Sequence, residues 1–166
     1  MKTKDITEQH NLLKGIVICK ESGEYLLDLI LDTHIDPVLL SCFVGALRLF
    51  GDNLGEIEEI NIKGLDVNMI IVYKYNLIFV AIMDKSFKKD NIRDEAIKAL
   101  DMFYTLYRVE ISQDCIDLMQ FESFKKILIQ QIEEYFTENK KVKHESEIGD
   151  FGFFTEAIKK LRSANS

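Results

Sequence analysis

The three histidines are the first residues to consider for chemistry, because an imidazole can act as a base or bind a metal ion near neutral pH. They are His10, His34 and His144, in a predicted lead-in, a loop and a linker. No carboxylate or cysteine stands at ligand spacing around any of them, as a zinc site would require. We therefore predict three surface histidines with no catalytic or metal-binding role.

The cysteines could supply a nucleophile, since a thiolate is strongly nucleophilic. The chain has three, Cys19, Cys42 and Cys115, far apart and each among apolar neighbours. An odd number without a CxxC pair predicts buried, reduced thiols and neither disulfides nor a zinc site. The Ser41-Cys42 pair has no base near it in sequence, so we interpret Cys42 as a core cysteine.

Paired acidic residues and glycine-rich loops would indicate catalysis, calcium binding or phosphate binding. The pairs Glu58-Glu59 and Asp28 with Asp32 lack the dense oxygen spacing of a calcium loop. The glycines form neither a GxxxxGK[ST] nor a GxGxxG loop, so nucleotide hydrolysis is not expected. We predict no catalytic residue, no metal ion and no cofactor, and hence a protein that is not an enzyme.

Composition and charge narrow the class of protein further. With 166 residues, 47% apolar and 30% charged, the chain is long enough to bury a core without metals or disulfides. A formal net charge of −7 argues against nucleic acid as a partner, because phosphate binding needs a basic field. No apolar run approaches the ~20 residues of a membrane span, and the N-terminal residues lack a signal-peptide core. We therefore expect a cytoplasmic protein.

The elements that must position any site are organised around Glu59–Asp84, the most apolar and β-branched stretch. Breaks at Lys63-Gly64 and Tyr75-Asn76 divide it into three consecutive antiparallel strands. Met69–Val72 and Leu77–Met83 are apolar almost without interruption. Such runs are typical of strands covered on both faces.

A hairpin and a helix precede these strands. Lys14–Lys20 and Tyr25–Leu31 are predicted as a strand pair, with the second strand at an edge of the sheet. Asp36 followed by Pro37 predicts a helix start, and the helix should end at Phe50 because Gly51 and Gly55 follow. We expect its large residues to face inward and Ser41, Gly45 and Arg48 to lie on the other face; the inward set is Leu39, Leu40, Phe43, Ala46, Leu47 and Phe50.

Two further helices are predicted after the strands, at about Asp90–Arg108 and Phe121–Phe136. We divide the chain into a domain at 1–136, a charged linker at 137–150 and a short amphipathic segment at 151–166. That segment either folds back onto its own domain or docks as a helix on a partner or a second copy. Its candidate partner-binding residues are Phe151, Phe153, Phe154, Ile158 and Leu161.

The order β-β-α-β-β-β-α-α predicts an α+β fold, an α/β/α sandwich around a five-stranded, largely antiparallel sheet. This order resembles the longin domain, a profilin-like architecture that includes the small subunits of clathrin-adaptor complexes. The resemblance covers nearly residues 14–136 and rests on the hairpin at 14–31, Pro37–Phe50, the strand NLIFVAIMD (Asn76–Asp84), and the segments Asp90–Tyr107 and Phe121–Phe136. The roadblock fold is the close competitor, but it starts with a substantial helix and typically has one helix after the sheet.

Both families imply non-catalytic platforms that dimerise or bind small GTPases in membrane trafficking or GTPase signalling. The resemblance also implies a homodimer or heterodimer formed through a sheet edge or the first helix. No heptad repeat follows the domain, so a membrane-fusion role is not expected, and any membrane association would come through partners. Two alternatives stay open: a small-molecule sensor or enzyme subunit with a pocket between sheet and helices, and an adaptor subunit that binds acidic or dileucine peptides.

Overall fold

A computed structural model describes residues 12–32, 34–54, 59–62, 67–87 and 91–147. Strands and helices alternate much as the hydrophobic pattern predicts, with a short 3-10 helix at Leu118–Phe121. The elements in chain order are β1 (Leu13–Lys20), β2 (Tyr25–Ile30), α1 (Pro37–Leu54), β3 (Glu59–Ile62), β4 (Val67–Lys74), β5 (Leu77–Asp84), α2 (Ile92–Ile111) and α3 (Phe124–Glu147).

The strands form one sheet in the order β2-β1-β5-β4-β3, and each neighbouring pair is antiparallel. The predicted combination of α-helices with an antiparallel sheet is therefore confirmed. β2 lies at an edge, as the sequence predicts. The β4–β5 turn is formed by Tyr75 and Asn76, both with positive φ, which is the backbone conformation of a tight two-residue hairpin.

Helices α1 and α2 cover opposite faces of the sheet, as two neighbouring residues of β4 demonstrate. The ring of Tyr73 lies 5.0 Å from the guanidinium carbon of Arg48 on α1. The next residue, Lys74, places its Nζ 2.7 Å from Oδ1 of Asp101 on α2. Successive side chains of a strand point to opposite faces, so the two helices lie on opposite sides.

Both faces of the inner strands are buried, which explains why β5 is apolar almost from end to end. The cluster on the α1 side contains Val17, Cys19, Val44, Met69, Ile71, Ile78, Val80 and Ile82. Alternate residues of the same strands form the other buried face: Ile16, Ile18, Ile70, Val72, Phe79, Ala81 and Met83.

Four aromatic rings join the end of α2 to the elements that follow it. Phe103 and Tyr107 on α2 meet Phe121 and Phe124 at centroid distances of 5.1–6.1 Å. The Tyr107 hydroxyl lies 2.9 Å from the Ser123 hydroxyl. These contacts anchor the 3-10 helix and the first turn of α3.

Two helices are longer than predicted. α1 continues past Gly51 to Leu54, since one glycine costs a helix only about 1 kcal/mol. α3 begins at Phe124 and continues to Glu147, so residues 137–147 are helical where we predicted a charged linker. Lys and Glu are strong helix formers, which explains why residues 137–147 are helical although they have no apolar stripe.

The chain divides into two compact units, Met1–Leu128 and Ile129–Ser166, and the predicted domain boundaries stay a prediction.

Candidate protein-interaction surface

Helix α1 starts where the sequence predicts, because Asp36 caps it. Its Oδ1 accepts hydrogen bonds from the backbone N–H groups of Val38 (2.9 Å) and Leu39 (3.0 Å). Pro37 occupies the first helical position, where its missing N–H costs nothing. The start of α1 is therefore fixed at this cap.

The centre of the face of α1 that packs on the sheet is formed by small or medium residues, and Leu40 and Leu47 pack half-buried against the same core. Ser41 and Val44 are fully buried, and the Ser41 hydroxyl donates to the Pro37 carbonyl at 2.8 Å. Gly45 lies against Gly23 of the β1–β2 turn so closely that a Cβ on Gly45 would stand 2.5 Å from the Gly23 Cα. The small residues therefore allow α1 to approach the hairpin more closely than any larger side chain would.

Arg48 lies on this same inner side and is held by two contacts. Its Nε donates to Glu21 Oε1 at 2.7 Å, and its guanidinium covers the ring of Tyr73. A cation over an aromatic face and a charge-assisted hydrogen bond both favour this position. The charge of Arg48 is thereby directed toward the hairpin and β4.

The predicted orientation of α1 is wrong for four of the six residues expected to face inward, whereas Leu40 and Leu47 pack against the buried core as predicted. Leu40 and Leu47 are half-buried, but Leu39 is 68% exposed and Leu49 is 66% exposed. Four of the six residues predicted to face inward are exposed: Leu39, Phe43, Ala46 and Phe50. We define the outer face of α1 by its exposed side chains, which are Val38, Leu39, Cys42, Phe43, Ala46, Leu49 and Phe50.

The cysteines also differ from the prediction that all three are buried. Cys19 is fully buried, whereas Cys42 and Cys115 are exposed. Burial raises the pKa of the Cys19 thiol to about 12, although a hydrogen bond with Ser41 acts in the opposite direction. Cys42 lies on the outer face of α1, so its apolar neighbours in sequence indicate an exposed apolar surface and not a core.

The histidines are not brought together with other ligands. His34 is exposed, and its Nδ1 lies 2.8 Å from Oδ1 of Asp32. The backbone N–H and ring of His34 hold the pKa of Asp32 below its usual value. His10 lies outside the described residues, and His144 falls within α3. Within the described ranges, no group of three His, Cys, Asp or Glu side chains could hold a metal ion.

The remaining predicted features fall partly outside the described residues. Glu58 is among these, Glu59 begins β3, and Asp28 accepts a hydrogen bond from the Tyr25 hydroxyl. None of the helices in the described part of the chain is both long and apolar enough to cross a membrane. The candidate residues of the C-terminal segment also lie outside the described ranges: Phe151, Phe153, Phe154, Ile158 and Leu161.

Two other surfaces of the described residues could also contact a partner: the free edge of β3 and an exposed stripe on α2. β3 ends the sheet on one side, so one edge of its backbone has no neighbouring strand among the described residues. On α2, Met102, Leu106 and Val109 form a smaller exposed stripe at helical spacing. The outer face of α1 is the larger of the two apolar helix surfaces, and β3 follows it directly in the chain.

Among known proteins, similarity is found to solved structures. No protein-family model matches the chain, and no curated protein matches it. A solved structure of Myxococcus xanthus MglB is similar with a TM-score of 0.44 and 14% sequence identity, over 67% of this chain and 88% of that chain.

Proposed function

We propose that this chain is a non-catalytic, longin-like protein-interaction scaffold and that the outer face of α1 is its docking surface. The observation that carries the proposal is that α1 is apolar on two sides while the sheet covers only one. A helix that is hydrophobic all round is normally buried all round. Burying one large apolar side chain contributes roughly 1.5–3 kcal/mol, and the outer face presents several beside one another.

The partner classes follow from the family resemblance. They are a small GTPase or another longin or roadblock subunit, in a homodimer or heterodimer that acts in membrane trafficking or GTPase signalling in the cytoplasm. A roadblock-type dimeric GTPase regulator is the alternative within the same class. Two helices, α2 and α3, follow β5, which favours the longin interpretation.

A sensor or enzyme subunit with a pocket between sheet and helices is less well supported. Among the described residues, the buried polar side chains are Ser41 and Asn68. The Ser41 hydroxyl is engaged with the carbonyl of Pro37 and with the Cys19 thiol. Convergent polar groups, which a specific small-molecule site needs, are not found in the described part of the core.

The test is affinity purification of the tagged chain from its own cells, comparing Leu49→Glu with wild type. A partner identified by mass spectrometry is then purified and its binding measured directly. We expect Leu49→Glu to abolish binding, because a charge cannot be buried in an apolar interface without a partner. Leu106→Glu on α2 is the matched control, since Leu106 is also an exposed leucine on a helix. Recovery of the same partner with Leu49→Glu, at equal thermal stability, would contradict the proposal.

A further inference from the structure

We propose that the C-terminal segment, residues 151–166, packs antiparallel along the second half of α3 of the same chain and forms a helical hairpin with it. In this hairpin Leu161 comes level with Phe136. The burial of two aromatic residues on α3, and the length of chain that separates them from the apolar residues of the segment, support this arrangement. The hairpin involves a different part of the molecule from the proposed docking surface on α1, so either proposal can fail without the other.

Tyr135 and Phe136 are buried between exposed residues of α3. Their rings meet edge-on with centroids 5.5 Å apart, whereas Glu133, Glu134 and Thr137 are exposed. Successive residues of a helix project about 100° apart, so burial of both rings requires cover over a wide arc of α3. A helix cannot bury two large side chains by itself, so another segment must lie against α3 at this level.

The cover over Phe136 does not extend to Ile129 on the same side of the helix. The two residues are seven positions apart, which is two helical turns or about 10 Å along the axis. Phe136 is 8% exposed, and Ile129 is 43% exposed. The covering segment therefore supplies large side chains at the level of Phe136 but not two turns earlier.

The C-terminal segment is the covering segment that the division of the chain favours. Phe136 belongs to the compact unit Ile129–Ser166, whose described residues all lie in α3. The rest of this unit is residues 148–166, and it contains the apolar residues of the C-terminal segment. Among these, Phe154, Ile158 and Leu161 recur at helical spacing and form one apolar stripe if the segment is helical.

The short connection between α3 and the segment sets the register of the hairpin. Residues 148–150 form this connection, and connections of about 2–8 residues join antiparallel helices. Phe136 lies thirteen residues before Gly149 and Leu161 lies twelve residues after it, so the two come level when the chain turns back. Leu161 is also the last large apolar residue of the segment, so the apolar stripe stops before it reaches Ile129.

Hydrogen exchange in the full-length chain tests the hairpin. Amide protons of residues 137–147 should exchange slowly under a packed segment and rapidly without one, because short isolated helices are marginal in water. Leu161→Glu places a charge opposite Phe136 and should speed exchange in residues 137–147 at least about tenfold. Ser163→Glu is the matched control, since it adds the same charge on the opposite side of a helix, and it should leave this exchange unchanged. Exchange in β5 should stay the same in both variants, which separates hairpin opening from global unfolding.

A second variant tests the register. Phe136→Ala should speed exchange as Leu161→Glu does, and the double variant should add nothing further, because both changes remove one contact. Exchange in Leu161→Glu equal to that of wild type would overturn the hairpin and assign the cover of Phe136 to another part of the chain. Protection that rises with protein concentration would also overturn it, since the segment would then pack on a second copy. Additive effects of the two changes would overturn the register.

Discussion

Replacing Gly45 with alanine should destabilise the fold, because Gly45 is the point where α1 touches the β1–β2 turn. A Cβ at this position would lie 2.5 Å from the Cα of Gly23 and 2.6 Å from its N. Carbon atoms in contact prefer separations of about 3.5–4.0 Å. Both obstructing atoms are backbone atoms, so no side-chain rotation relieves the overlap. Gly23 itself has a φ of +91°. Helix and hairpin must move apart by about 1 Å.

The expected magnitude follows from two opposing contributions. Glycine to alanine in a helix interior stabilises by about 1 kcal/mol through helix propensity. Inserting a methyl group into a packed contact costs typically about 1–3 kcal/mol, and a clash with backbone belongs at the upper end. Gly45→Ala should therefore lower the free energy of unfolding by about 2 kcal/mol.

Gly51→Ala is the matched control, since Gly51 lies in the same helix and a Cβ there meets nothing within 4 Å. This variant should raise the free energy of unfolding by about 1 kcal/mol. Urea denaturation followed by circular dichroism measures both variants, and they should differ by about 3 kcal/mol with opposite signs relative to wild type. A Gly45→Ala variant as stable as Gly51→Ala would refute the close approach of α1 to the hairpin.

Three other predictions concern single clusters. The rings of Tyr75 and Tyr104 are stacked with their centroids 4.3 Å apart. A double-mutant cycle with alanine should therefore give a coupling energy of about 0.5–1.5 kcal/mol in the free energy of unfolding. A coupling energy of zero would refute the stack. The Lys74 ammonium donates to Asp101 and holds the pKa of that carboxyl below its ordinary value of 3.8. In an NMR titration Lys74→Met should move that pKa upward. Because the folded pKa is lowered, the stability lost in Lys74→Met should be present at pH 7 and should vanish as the pH falls through the folded pKa. A thiol reagent at pH 8 should modify the two exposed cysteines of the folded chain and reach Cys19, with its pKa near 12, only after unfolding; equally fast modification of all three cysteines would contradict the buried position.

Features set by a few neighbouring residues could be predicted from the sequence. The Asp36-Pro37 start of α1 depends on one carboxylate within reach of two N–H groups. The Tyr75-Asn76 turn depends on two backbone conformations between two apolar strands. The unbroken apolar run of β5 predicts that both faces of this strand are buried. In each case the decisive interaction lies within a few residues along the chain.

The orientation of α1 could not be predicted, because its sequence is apolar on two faces and periodicity alone does not choose between them. The choice is made by Gly45 and Gly23, whose close contact joins residues far apart in the sequence. Arg48 adds a second long-range contact with Glu21. The signal available in the sequence was side-chain size. Where two backbones must approach closely, the helix face with small residues packs inward in preference to the face with large ones. Cys42 was misplaced for the same reason.

When the chain is synthesised residue by residue, the strand order determines when each pair of neighbouring strands can form. β1 is made early, but its neighbour β5 follows only after α1, β3 and β4. The β1–β2 and β4–β5 hairpins are local and can form within microseconds. Until β5 is complete, one long edge of β1 stays open, and open strand edges favour aggregation. β5, which closes the sheet between β1 and β4, is the last strand made among the described residues, so the step that joins the two hairpins must wait for it.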